Sequence, residues 1–419
     1  MRTAQKQGVA WLAAAVAVGT AAIAAAQDSP PVQVSSGASH GQSRPIVPDL
    51  AATSNGATLV VWLQPLDNQS PQNDYQLWGR VLDRDDVPRG GPFAISAAER
   101  DGETLSVSSE AAVAAAPAGR GFLVLWGDGG DEDPFERVLV GTHVGLDGVV
   151  APTPFPVTRS GIDPDIAYNA NRREYLAVWS KRGREIRAMR LRPDGSPVGD
   201  SFRLWRGPQG ITYPATAPSV AYDSDSRTYL VAWRAQSDDL VSHVYWRTVS
   251  GRRKAQRGRM RQLDELERGG LPSPEIAFSP RDGEFMLALE RDGKIFLARI
   301  DARGRPVSRP TYVIGREEVP AYVPGVAVTR AGDRILTYQI GPLEHDVSHV
   351  YYERFGRQLR LRPRHRISTG PYESYGPAVT AMQDGFGVAW IAALGPDDYT
   401  GPEYSFGERE AFFRNLSGG

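Results

Sequence analysis

The chain has 419 residues, with 48 basic against 49 acidic side chains and no cysteine. The near balance excludes a surface built mainly to neutralise nucleic acid, and without thiols there are neither disulfides nor thiolate metal sites. A content of 44 glycines and 32 prolines fits a chain of many tight turns.

The first 26 residues differ from the rest. Arg2 and Lys6 form a short basic head, Gly8 to Ile23 is a nearly unbroken apolar run, and Ala24, Ala25 and Ala26 precede Gln27. That order reads as an export signal, residues 1–26, with small residues at the cleavage site. An uncleaved anchor is the alternative, because the apolar run is long. No cysteine follows the run, which excludes a lipoprotein anchor. Loss of Arg2 and Lys6 tips the balance slightly acidic and leaves no stable membrane span. The expected location is secreted or periplasmic. An exported protein without disulfides points to a bacterial source.

Residues 27–419 read as a single domain, because one motif recurs about every fifty residues, and such a period made of short strands marks a repeat architecture. "PVQVSS" (Pro31 to Ser36) comes first, a short strand without a copy of its own. Seven first strands follow: "PDLAA" from Pro48, "AAVAA" from Ala111, "PDIAY" from Pro164, "PSVAY" from Pro218, "PEIAF" from Pro274, "PGVAV" from Pro324 and "PAVTA" from Pro377. The small residue next to the end of each lets neighbouring copies crowd together. Second strands such as "TLVVW" and "FGVAW" end at Trp62, Trp126, Trp179, Trp233, Leu289, Tyr338 and Trp390. They are apolar throughout, as strands covered on both faces are. The interval from Trp62 to Trp126 is the longest because the loop before Ala111 is long. A third strand, a turn such as Asp147-Gly148 or Asp194-Gly195, and a short fourth strand such as "PFAIS", "PFPVT" or "SFRLW" complete a copy.

Four antiparallel strands per copy make one blade. The expected fold is all-β: a seven-bladed β-propeller of four-stranded antiparallel blades. The seventh copy ends at its third strand, "REAFFRNLS". The N-terminal "PVQVSS" strand is expected to complete that blade and close the ring, which removes open edges.

"PDIAYNANRREYLAVW" (Pro164 to Trp179) and "PSVAYDSDSRTYLVAW" (Pro218 to Trp233) resemble the repeats of a family of bacterial secreted proteins. Those repeats run as Pro, a polar residue, Val-Ala-Tyr-Asn, then Tyr-Leu-Val-Val-Trp. The resemblance spans nearly all of Pro31 to Ser417. It implies the fold and no particular chemistry, since one scaffold hosts many activities.

Functional residues are expected where the long loops gather, on the face that carries the second-to-third strand loops and the links between blades. "VSHVY" occurs twice, at Val241 to Tyr245 and at Val347 to Tyr351. His243 and His349 are candidate ligand contacts or proton carriers, or a residue of blade duplication. The position after each proline is acidic at Asp49, Asp165 and Glu275, a candidate acid and base set for a glycoside or a bond to the next blade's backbone. Tyr213, Tyr322, Tyr372 and Tyr375 are candidate sugar-stacking rings, or loop packing. The basic segments Gly251 to Arg261 and Arg354 to Arg366 suit an anionic polymer or a solvated rim. "DGGDED" (Asp128 to Asp133) has oxygen ligands for calcium but lacks the spacing of a calcium loop. No cofactor is expected otherwise.

The sequence favours a monomeric, non-catalytic binding module for an extracellular or envelope ligand, a polysaccharide or a protein, with Tyr213, His243, Tyr322, His349, Tyr372 and Tyr375 in contact. The competing reading is a polysaccharide-degrading enzyme. A lyase would take His243 or His349, Tyr245 or Tyr351, and Arg247 or Arg354; a hydrolase would take Asp49, Asp165 and Glu275.

Overall fold

A computed structural model describes residues 29–417 except 37–38, 42–45, 66–74, 98, 101–102, 105–106, 108–110, 130–136, 208–214, 237–241, 253–255, 264–272, 309, 316–318, 342–346 and 396–405. The strands form seven blades around an axis. Six are continuous in sequence, each pairing its four strands in order. Blade three shows the pattern: Ile162–Asn169 innermost, then Glu174–Lys181, Glu185–Leu191 and Phe202–Arg206 outermost. The long interval before blade two holds an extra two-stranded hairpin, Glu99–Arg100 with Glu103–Thr104.

Blade seven is built from both ends of the chain. Its inner strands are Ser374–Met382, Gly385–Ala393 and Phe406–Ser417. Val32 and Gln33 then pair antiparallel with Phe413 and Phe412. The junction continues on both sides, with Val34 N–H donating to Ala411 O at 2.8 Å and Ser29 N–H to Asn415 O at 3.2 Å. Ser39–Gly41 pairs farther along the same last strand. Ring closure by the N-terminal strand therefore holds.

Among the described residues the apolar core is divided. Seven apolar clusters each fill the gap between two neighbouring blades. The repeated second-strand anchor packs backwards: Trp126 against blade one, Trp179 against blade two, Trp233 against blade three. The repeated alanine packs forwards, so Ala167 meets the cluster of Trp233, and Ala221 that of Leu289. A large residue from one blade and a small one from its neighbour thus share each gap, which is why the sequence repeats both.

The repeated proline has a backbone cause. In blades one, three, four, six and seven the inner ladder slips by a bulge around this position, between Ile162 and Asp165 in blade three for example. Proline offers no N–H to a ladder and is accommodated at bulges. The residue just before it turns left-handed at Asp163 (φ 48°), Ala217 (φ 48°), Val323 (φ 50°) and Gly376 (φ 61°). This conformation is costly for a β-branched residue such as Val323. The bulge interrupts these five inner strands at their long-loop ends.

Candidate functional site: the axial channel

The inner strands enclose a channel of about 300 Å³, lined by residues from all seven blades. Its walls carry Asp49, Asp163, Asp165, Glu275 and Glu290, and no lysine, arginine or histidine is among its described lining residues. It is an acidic shaft set among prolines and small apolar residues.

Two of these carboxylates hold the ring together. Asp49 accepts the Leu50 N–H and, across the blade gap, the Val113 N–H, both at 2.8 Å. Asp165 repeats the arrangement with Ile166 and Val220, both at 2.6 Å. At the same position in blade four, Ser219 Oγ accepts the Ile276 N–H of blade five at 3.2 Å. The side chain after the proline is thus a bridge to the next blade. Burial pushes the Asp165 carboxyl up, and the bonds from Val220, Ile166 and Ser219 only partly offset this. Glu275 is exposed in the channel.

Asp163 and Glu290 were not singled out by the sequence, and both face the shaft. Burial raises the Asp163 carboxyl, against the Ala217 N–H at 3.5 Å and the Arg234 charge, which pull it down. Burial also raises Glu290, with the Asp292 charge adding to it and the Val323 N–H at 3.3 Å opposing it. The signal for Asp163 was its place before a repeated proline. Glu290 ends an apolar strand and carries no repeat signal. Among the described residues no group of three or more histidines and carboxylates is placed to hold a metal ion.

The other expected site residues lie away from this channel or only at its edge. His243 and His349 occupy matching places at the start of third strands, in blades separated by blade five. Each ring Nδ1 lies 3.0 Å from a fourth-strand side chain of its own blade, Gln262 or Arg366. Burial and the Arg366 charge lower the His349 pKa. His243, Tyr245 and Arg247 share one face of their strand, and that face packs on blade three. Tyr245 lies 6.0 Å from the Trp205 ring and stacks on Trp233 at 6.2 Å. Arg247 donates to the carbonyls of Leu204 at 2.6 Å and Gly258 at 2.8 Å. Tyr351 stacks on Tyr338, with the Arg364 guanidinium 5.7 Å from its ring. Arg354 donates to the Ser417 carbonyl of blade seven and lies 5.7 Å from the Phe386 ring.

Of the tyrosines, Tyr322 stands at the channel's edge near Glu290, where burial and that charge raise its pKa. Tyr375 packs into the gap between blades seven and one, and Tyr372 is half-buried. Tyr213 and the segment 130–133 of the calcium candidate lie outside the described residues. So does the expected signal, 1–26. In the basic segments, Arg257 donates to Arg203 O at 2.6 Å and Arg357 pairs with Glu284 at 3.0 Å, which ties both to the preceding blade. No helix among the described residues is long and apolar enough to cross a membrane.

No protein-family model matches the sequence, and no curated protein matches it. Among solved structures the chain is similar to a protein of unknown function from Dyadobacter fermentans, at 10% identity and a TM-score of 0.51, covering 93% of this chain and 99% of that one. It is similar to the Dos1 propeller at 7% identity and a TM-score of 0.52, covering 92% and 95%. Both likenesses are at the level of the fold alone. A thermostable family-43 glycoside hydrolase matches at 13% identity and a TM-score of 0.38, over 61% of this chain and 89% of that one. That overlap carries no argument about activity.

Proposed function

We propose that this protein is an exported, non-catalytic recognition module that binds an extracellular or envelope ligand on its long-loop face, over the mouth of the acidic channel. The observation that supports this reading most is the commitment of the candidate catalytic groups to the scaffold. Asp49 and Asp165 bridge blades through backbone N–H groups, and Arg247 is held by carbonyls of two blades. A general acid or base must be free to reach a substrate proton. The rigid ring and its shaft instead suit a binding platform.

The channel's charge narrows the ligand. A uronate polymer would be repelled by carboxylates from three blades. A neutral polysaccharide, or a protein that presents a basic side chain to the shaft, fits better. The basic head and apolar run of residues 1–26 support export.

Native gel electrophoresis of the mature chain through neutral and acidic polysaccharides tests the proposal. Retardation in a neutral polysaccharide without a cleared zone is expected, and Glu290→Gln with Tyr322→Ala should weaken it. Clearing along the track would replace recognition with catalysis. Unchanged mobility in every gel would leave the protein partner, to be sought with basic peptides.

A further inference from the structure

A second described cavity is on the opposite face of the ring. It lies between blades two and three and has a volume of about 640 Å³, within the usual range for small-molecule sites, roughly 300–1,000 Å³. Short turns build it: the first-to-second and third-to-fourth strand turns of blade two, and the same two turns of blade three. Antiparallel strands place these turns at the end away from the long loops.

Its walls are apolar, with Pro117, Phe122, Val144 and Val150 among them. Two exposed arginines, Arg120 and Arg173, also line it. Neither makes an ion pair or a side-chain hydrogen bond with another described residue. Arg173 is held in a left-handed conformation (φ 53°). Asp194 is the acidic group of the lining. Its carboxylate accepts the Ser196 N–H at 2.9 Å and the Ser196 hydroxyl at 2.6 Å, and these bonds hold its pKa down. His143 faces blade three from the third strand of blade two, 5.9 Å from the Phe155 ring. Its Nε2 is buried without a hydrogen-bond partner in the described protein.

We propose that this cavity binds a small amphipathic carboxylate. The apolar body lies along Phe122, Val144 and Val150, and the carboxylate meets Arg120 and Arg173. Guanidiniums without a partner among the described residues are suited to such a head, which they bind through charge-assisted hydrogen bonds. The site is separate from the channel and does not depend on what the long-loop face binds.

The test is calorimetric titration of the folded mature chain with decanoate, below its micelle concentration, and with decanol. Decanoate should bind saturably, and Arg120→Ala with Arg173→Ala should weaken it roughly tenfold or more while leaving decanol within about twofold, since apolar burial is unchanged. Val149→Trp, at a lining residue 65% exposed, should fill the space and remove both. Absence of saturable decanoate binding would overturn the proposal. So would an affinity unchanged in both variants, each checked as folded by its circular dichroism melt.

Discussion

Blade three and blade six perform the same task with different residues. In blade three, Trp179 fills the gap to blade two and is fully buried, while Asp165 ties the inner strand to blade four. In blade six the same positions are Tyr338 and Gly325. Tyr338 is as buried as Trp179, but its hydroxyl needs a partner. It donates to Glu353 at 2.6 Å, and Arg364 holds Glu353 at 3.2 Å. Arg364 also lies 5.8 Å from the Tyr338 ring. The indole Nε1 of Trp179, in contrast, is buried with no partner in the described protein. The repeat places a large side chain in each gap, aromatic in six blades and Leu289 in blade five. It tolerates a polar one where a network satisfies it.

The contrast is broken most strongly at the tryptophan. Trp179→Ala should cost about 3–5 kcal/mol, because the rigid strands around it cannot collapse into the space. Urea unfolding of the mature chain measures this, and a loss below about 1 kcal/mol would mean that the gap relaxes after all. Tyr338→Phe keeps the ring and removes only the hydroxyl. It should cost about 1–3 kcal/mol, since buried Glu353 loses one of its two side-chain partners. A double-mutant cycle with Glu353→Gln should show coupling, as contacting residues in one network do. Additive losses would mean that the two groups stabilise the blade independently.

A further loss is expected at the inner bridge. Asp165→Ala leaves the Ile166 and Val220 N–H groups without their acceptor and should cost about 1–3 kcal/mol. The reverse graft should not gain it back. A Cβ at Gly325 would come within 2.6 Å of Thr337 Oγ1 and 3.0 Å of Val379 Cγ1, so Gly325→Asp should also destabilise. A Gly325→Asp variant as stable as the parent would show that the blade six gap can open to take a bridge.

Much of this was legible in the sequence. The proline, the alanine and the terminal aromatic recur because every gap presents the same shape, so seven blades and the closing strand could be counted. The candidate site was far less legible. Asp49 and Asp165 stand where a catalytic ring would, but a backbone N–H of the next blade is an invisible partner until strands are placed in register. Arg120, His143 and Arg173 come from three turns or strand ends in two blades, and nothing in their spacing joins them. A repeat records what each blade shares, whereas a binding site uses what one blade has and the others lack.

The left-handed position before the proline sharpens the comparison at its finest. It holds Asp163 in blade three and Val323 in blade six. Burial raises the Asp163 carboxyl more than the Ala217 N–H and Arg234 lower it. The folded chain therefore holds that proton more tightly than the unfolded chain. Its contribution to stability is complete below the ordinary aspartate value, about 3.9, and is lost as the pH rises through the higher folded value. Asp163→Asn removes the titration, keeps a carbonyl oxygen for the Ala217 N–H, and retains a residue type that tolerates this backbone conformation. The variant should be the more stable chain at pH 7, with its advantage shrinking as the pH falls towards 4, as read by urea unfolding at both values. A parent chain that is more stable at pH 7 would mean that the Arg234 attraction outweighs burial.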